Sequence, residues 1–295
     1  PGRDLHPYHH PCQWRERTPM SRGLICLPLL ATVLLACSPD NPPQGKDDTA
    51  AAVRNTRWGS NITITYGDGN FRYRSNSHPN HDLNEEYVMP DDFSTCIPHP
   101  TTACTHVEPA SEAISEVPVD VTITTKPVKV DKTASIPFGP MGVLISGSPV
   151  YNPYEGEGVT VAMNANFTIP NAEGQPVPFM DGCNAHPSPH PQGQYHYHGL
   201  PPCVTSQVDQ ENGPSHIIGY GFDGFPIYGD RDINGAPIDP AKLDECNGID
   251  SPTPEFPNGI YHYILLNVPT VQSTIRCLHG KLDSPLLPFL LPRHP

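Results

Sequence analysis

Proline recurs along the whole chain, 39 times in 295 residues, while only 16% of the residues are charged. Inside a helix a proline removes a hydrogen bond and clashes with the preceding turn. Long amphipathic helices are therefore excluded, and short strands joined by turns remain. The local patterns agree. Residues 61–66 alternate, meet Gly67-Asp68-Gly69-Asn70 and continue as residues 71–74, which predicts a hairpin with a glycine turn. Residues 117–130 are β-branched but interrupted by Pro118 and Pro127, as edge strands are. Further strands are expected over residues 141–145, 159–162 and 260–266, and one short helix over residues 240–246. No long repeat is evident. The expected fold class is mainly β: a compact antiparallel β-rich domain with long Pro/Gly-rich loops, disulfides and little helix.

The N-terminal region reads as an export signal. Arg22 precedes an apolar run, residues 24–35, and Leu34-Leu35-Ala36-Cys37 closes it. A basic start, an apolar run of about a dozen residues and a small residue before the cut make up a secretory signal. The run falls short of the roughly 20 apolar residues that a spanning helix needs. Leu34-Leu35-Ala36-Cys37 also resembles the lipobox of bacterial lipoproteins, in which the cysteine is acylated and becomes the new N-terminus. Residues 1–19 are thus expected to lie outside the native product, residues 20–37 to be a lipoprotein signal peptide, and residues 38–56 a flexible tether. The mature protein would be extracytoplasmic, held on a bacterial membrane (its periplasmic or cell-surface face) by lipid on Cys37. The net charge of −14 argues against nucleic acid and against electrostatic docking to anionic lipid.

Cysteine usage fits export. Cys96, Cys104, Cys183, Cys203, Cys246 and Cys277 remain after Cys37, an even number with no C-x-x-C spacing. Of the connectivities open to six cysteines, we expect Cys96–Cys104, Cys183–Cys203 and Cys246–Cys277. Each closes a short or moderate loop and would contribute about 2–4 kcal/mol.

The chemistry concentrates in residues 181–203, which hold His186, His190, His196 and His198. If Tyr195-His196-Tyr197-His198 is a strand, its side chains alternate between faces. His196 and His198 then share one face, and the two tyrosines pack on the other. Two imidazoles so placed can converge on one cation, and zinc or copper suits them. His190, between two prolines, reads as a bystander. The alternation recurs at Tyr261-His262-Tyr263-Ile264, where only one imidazole is offered.

Tyr195-His196-Tyr197-His198 is also the signature of the YHYH domain family, and the resemblance is wider than four letters. Ser75-Asn76 with His78-Pro-Asn-His81-Asp82, Tyr151-Asn-Pro-Tyr154 and Ser215-His216-Ile-Ile-Gly219 resemble successive family blocks. So do Phe222-Asp223-Gly-Phe-Pro-Ile-Tyr-Gly229, Leu243-Asp-Glu-Cys-Asn-Gly248, Tyr261-His262-Tyr263 and Cys277-Leu-His-Gly280. Residues 57–280 are accordingly expected to form a YHYH-like β-rich domain, with residues 281–295 an unassigned tail. The resemblance implies a shared fold and histidine set rather than a known reaction. Carried over position by position, the histidines in matching blocks are His81, His186, His196, His198, His216 and His262. The expected ligands are His196 and His198 with His186 and one of His216 or His262. Asp181 and Asp223 are expected either to orient imidazoles or to form turns. Ile264 stands where many relatives carry a second histidine, and Ser77 and His78 stand where they have Gly-Ile.

Asp230-Arg-Asp232-Ile-Asn234-Gly235 resembles the first half of an EF-hand calcium loop. The twelfth position is Ala241, so Asp230, Asp232 and Asn234 are either a partial calcium site or a polar turn. No Gly-x-Ser-x-Gly elbow, P-loop or dinucleotide-binding glycine motif is present. Three readings stand. The first is a lipoprotein that binds copper or zinc through its histidines, with a metal or small ligand as partner. The second is a metal-dependent hydrolase or oxidoreductase using Asp223 or His216 as acid/base. The third is a purely structural histidine network. A closed set of four ligands favours binding or structure; an open coordination position beside a carboxylate favours catalysis.

Overall fold

The computed structural model describes residues 48–83, 86–90, 104–134, 139–156 and 158–282, all within the unit Pro43–Pro295. The expected signal peptide with Cys37, residues 1–19, Cys96 and residues 283–295 lie outside the described residues. Among those described, 17 strands accompany three short α-helices, so the mainly-β expectation holds.

The described chain opens with α1 (Ala50–Asn55), whose Ala52 and Val53 are buried. The Thr49 N–H donates to Thr125 O at 2.8 Å. From residue 48 onward the stretch expected to be a tether is therefore packed structure, because two apolar residues give the helix a face to bury. The predicted hairpin follows as β1 (Thr63–Tyr66) and β2 (Asn70–Ser75), with Tyr66 opposite Phe71. β3 (Glu86–Pro90) and β4 (Thr105–Pro109) pair with each other and lead into α2 (Ala110–Ala113). β5 (Val119–Thr124) adds to β2 at the edge of a three-stranded sheet, and β6 (Lys129–Ala134) pairs with a strand near the C-terminus. Both are edge strands, where proline-flanked segments are tolerated.

Eight strands form the central sheet. In chain order its first half supplies β7 (Pro140–Leu144), β8 (Pro149–Tyr151), β11 (Ala185–Pro187) and β12 (Tyr195–Tyr197). A small hairpin of β9 (Thr168–Pro170) and β10 (Pro176–Pro178) interrupts them. After α3 (Pro202–Thr205) come β13 (Ile217–Gly221), β14 (Pro226–Tyr228), β15 (Gly248–Ser251) and β16 (Ile260–Ile264). β17 (Leu278–Gly280) closes the described chain against β6. The spatial order is β11-β12-β8-β7-β13-β14-β16-β15. The β12–β8 and β14–β16 contacts are parallel and the others antiparallel, so the sheet is mixed rather than purely antiparallel.

All five residues of β7, β13 and β16 are buried, as in strands covered on both faces. The three-stranded sheet is tied to them by aromatic contacts. Trp58 lies between Tyr73 and Tyr220, with ring centroids at 5.7 and 5.8 Å, and the Tyr73 hydroxyl donates to Leu144 O at 3.0 Å.

Two local expectations change. Residues 159–162 make one isolated bridge, Val161 to Tyr154, because the Glu155 N–H turns back onto Thr160 O. The short helix expected over residues 240–246 is a single 3-10 turn, Pro240–Lys242, with the Asp239 side chain accepting from the Ala241 N–H. The disulfides Cys183–Cys203 and Cys246–Cys277 form; the expected partner of Cys104 lies outside the described residues. Among the described residues, no helix is long and apolar enough to cross a membrane.

Candidate metal centre

The site is built on the antiparallel pair β11–β12, in which His186 lies opposite His196. Alternation along β12 does what the sequence predicts. Tyr195 and Tyr197 are fully buried, and their hydroxyls donate to Asp181 Oδ2 (2.7 Å) and Ser146 Oγ (2.9 Å). His196 and His198 take the other face and meet His186. The three ring centroids are 4.4, 4.9 and 5.2 Å apart. One ligand-grade nitrogen from each ring lies within 4.8 Å of the others.

Each ring is held by its Nδ1. His186 Nδ1 donates to Pro187 O at 2.9 Å, His196 Nδ1 to Gln194 O at 2.8 Å, and His198 Nδ1 to Asn152 O at 2.7 Å. A carbonyl can only accept, so the proton of each neutral ring sits on Nδ1, and Nε2 carries the lone pair. The Nε2 atoms of His186 and His198 are buried without a hydrogen-bond partner. A buried polar atom left so costs about 1–3 kcal/mol.

Glu155, on the turn after β8, reaches the same space. Its Oε1 lies 3.4 Å from His186 Nε2 and 3.8 Å from His198 Nε2, and the residue is 4% exposed. Phe179 and Tyr151 wall the cluster, 4.1 Å from the His186 ring and 4.0 Å from the His196 ring. The Tyr151 hydroxyl donates to Gln194 Oε1 at 2.6 Å, bracing the residue whose carbonyl holds His196. Burial keeps all three imidazoles neutral. It lowers His186 to about 4 and His198 to about 3, the latter partly offset by the Glu155 charge. Burial also takes His196 well below the ordinary range, and His186 beside it adds to the effect. Neutral imidazole is the form that binds metal.

The other sequence candidates lie elsewhere. His81 is on the tyrosine side of β12, with Nε2 2.7 Å from the Tyr197 hydroxyl and Nδ1 donating to Asp82 O. His216 Nδ1 bonds Glu255 at 2.8 Å, and its side chain is 38% exposed. His262 is buried in β16, its Nδ1 donating to Ile260 O at 2.9 Å. His190 bonds Glu108. None of these joins the three-histidine group; the further side chain with donor oxygens beside it is Glu155, in place of His216 or His262. Glu155 directly follows Tyr151-Asn-Pro-Tyr154, and nothing in the sequence ties that block to the histidines.

The aspartates serve the backbone and the tyrosines instead of the imidazoles. Asp181 Oδ1 accepts the N–H of Cys183 and Ala185. Asp223 is fully buried, and burial raises its pKa. Its Oδ2 accepts the Tyr263 hydroxyl (2.5 Å) and the Gly280 N–H (2.7 Å). In the calcium-like stretch, Asp232 Oδ1 accepts the N–H of Asn234 and Ala236, the pattern of a polar turn.

Residues 120–237 match the family model described as YHYH protein. No curated protein and no solved structure matches the chain. The matched stretch contains Glu155 and all three clustered histidines. Over residues 120–237, with these side chains in it, the chain carries a YHYH domain.

Proposed function

We propose that the domain binds one transition-metal ion, zinc or copper, through Nε2 of His186, His196 and His198, with Glu155 completing the set. The observation that carries this reading is the pair of buried, unpartnered Nε2 atoms on rings whose other nitrogens are already committed. A hydrogen-bond network serving only the fold would satisfy those atoms. A cation relieves the cost of leaving them bare, and the Glu155 carboxylate offsets part of its charge. Three imidazoles with a carboxylate suit the borderline-soft ions zinc and copper.

Binding is favoured over catalysis because the donors are enclosed. His186, His196, His198 and Glu155 are each 4% exposed or less, and four protein ligands fill a tetrahedral set. The same proposal places the protein outside the cytoplasm, lipid-anchored at Cys37. Two disulfides in the domain suit an oxidising compartment.

The test is elemental analysis of the protein purified without added metal, alongside His196→Ala and His198→Ala. About one zinc or copper per chain, lost in both variants, supports the reading. A folded wild-type protein that takes up neither ion overturns it.

A further inference from the structure

The central sheet is a palindrome. Read outward from the β7–β13 contact, one side runs β7-β8-β12-β11 and the other β13-β14-β16-β15. The two sides correspond residue by residue. Gly142 opposite Val150 in β7–β8 matches Gly219 opposite Ile227 in β13–β14. Tyr197 runs parallel to Val150 as Tyr263 runs parallel to Ile227. The junction is self-symmetric: Leu144 pairs with Gly219 and Gly142 with Gly221, while Ile145 N–H bonds Ile218 O and Phe222 N–H bonds Met141 O. Exchanging the halves turns each bond into the other.

Side chains follow the same rule. Asp181 Oδ1 caps Cys183 and Ala185 while Oδ2 takes the Tyr195 hydroxyl; Asp244 Oδ1 caps Cys246 and Gly248 while Oδ2 takes the Tyr261 hydroxyl. Asn184 and Asn247 both have positive φ, 58° and 65°. Their carbonyls accept the N–H of His198 and Ile264, each at 2.9 Å. Cys183 and Cys246 each hold a disulfide. Topology alone can arise by convergence, but a shared Asp-x-Cys-Asn turn and Tyr-His-Tyr strand with matching hydrogen bonds point to common descent.

We infer that the sheet is a fused tandem duplication, and that its second half keeps a latent copy of the metal site which lacks only two imidazoles. Its ligand class, a divalent transition-metal ion, rests on the function proposed above. His262 stands for His196, its Nδ1 bonding the carbonyl two residues back as His196 does. Tyr228 packs against it at 4.9 Å, as Tyr151 packs against His196. The counterpart of Glu155 is Asp232: the bridges Tyr154–Val161 and Arg231–Pro237 correspond, and both acidic residues open the turn inside them. Asp232 and His262 line one small cavity of about 10 Å3. Where the first half has His186 and His198, the second has Ile249, opposite His262, and Ile264. Removal of two ligands closed the second site around apolar side chains.

The test restores them. The variant carrying Ile249→His and Ile264→His, dialysed against Zn2+ beside wild type and measured by elemental analysis, is expected to hold one more ion per chain than wild type. An equal count in the folded variant overturns the inference. The wild-type count itself reads the first site, so failure of that site and failure of this inference are separate results. Ile264 is fully buried, and the double variant can lose its fold. Ile249→His alone, at a half-buried position, covers that case by placing an imidazole opposite His262 as His186 stands opposite His196. Zn2+ is then expected to raise its Tm more than it raises that of wild type, and an equal response overturns the inference.

Discussion

His186 and His196 face each other across the β11–β12 ladder with ring centroids 4.4 Å apart, each donating Nδ1–H to a nearby carbonyl. With the protons fixed on Nδ1, the buried Nε2 lone pairs of His186 and His198 have no hydrogen-bond partner, and the metal-free fold carries that cost. Metal should therefore stabilise. At a free concentration of about a hundred times Kd, an ion that binds only the folded state adds about 2.7 kcal/mol. Calorimetric scans should show a higher Tm with zinc or with copper than with chelator for wild type, and one unchanged Tm under all three conditions for His196→Ala. A wild-type Tm indifferent to both ions would refute the site.

In the proposed set, Glu155 is the member whose contribution can be separated from packing. Glu155→Gln keeps the shape and removes the charge beside two neutral imidazoles. Losing even an outer partner of a ligand weakens metal binding about 10–100-fold, so this change should weaken it by at least as much. A competition titration against a coloured chelator measures it. Unchanged affinity would remove Glu155 from the set.

Asp223 should matter to the fold and not to the metal. Its buried carboxylate takes the Tyr263 hydroxyl and the Gly280 N–H, joining β13–β14 to β16 and β17. Hydrogen bonds to a charged group contribute about 1.5–3 kcal/mol each. Asp223→Ala is expected to cost about 3 kcal/mol or more in urea unfolding while the metal count per chain stays the same. A variant of normal stability that has lost its metal would return Asp223 to the site.

The paired histidines at β12 and its C-terminal end were legible because a strand has a side-chain period of two, and burying two tyrosines forces His196 and His198 to the opposite face. His186 was legible because it sits within hairpin reach in the same short loop. Glu155 was not, since it arrives through the β8–β12 contact, a parallel pairing between segments far apart in sequence. His81 and His262 lie in family-like blocks, yet one faces the tyrosines and the other belongs to the second half of the sheet. The duplication escaped for a related reason. The spacing between counterparts changes from Gly142 and Gly219 to Asp181 and Asp244 to Tyr195 and Tyr261, because the intervening loops differ in length. A search at fixed period cannot see it; the hydrogen bonds can.

The last expectation concerns acid. His262 is buried, and burial lowers its pKa from 6.5 to about 4. Between those values the unfolded chain binds a proton at this position and the folded protein does not, so stability rises with pH across that window. The contribution is whole above pH 6.5 and is progressively lost as the pH falls toward 4, by on the order of a few kcal/mol. His186 and His198 act in the same direction in metal-free protein, so the total profile does not isolate one residue. Comparison with His262→Gln does, because glutamine can donate to a carbonyl and does not titrate. Urea unfolding of chelator-treated protein at pH 7, 6, 5 and 4 should show a shallower loss for the variant. If the two curves fall in parallel over that range, His262 is not held neutral by the fold.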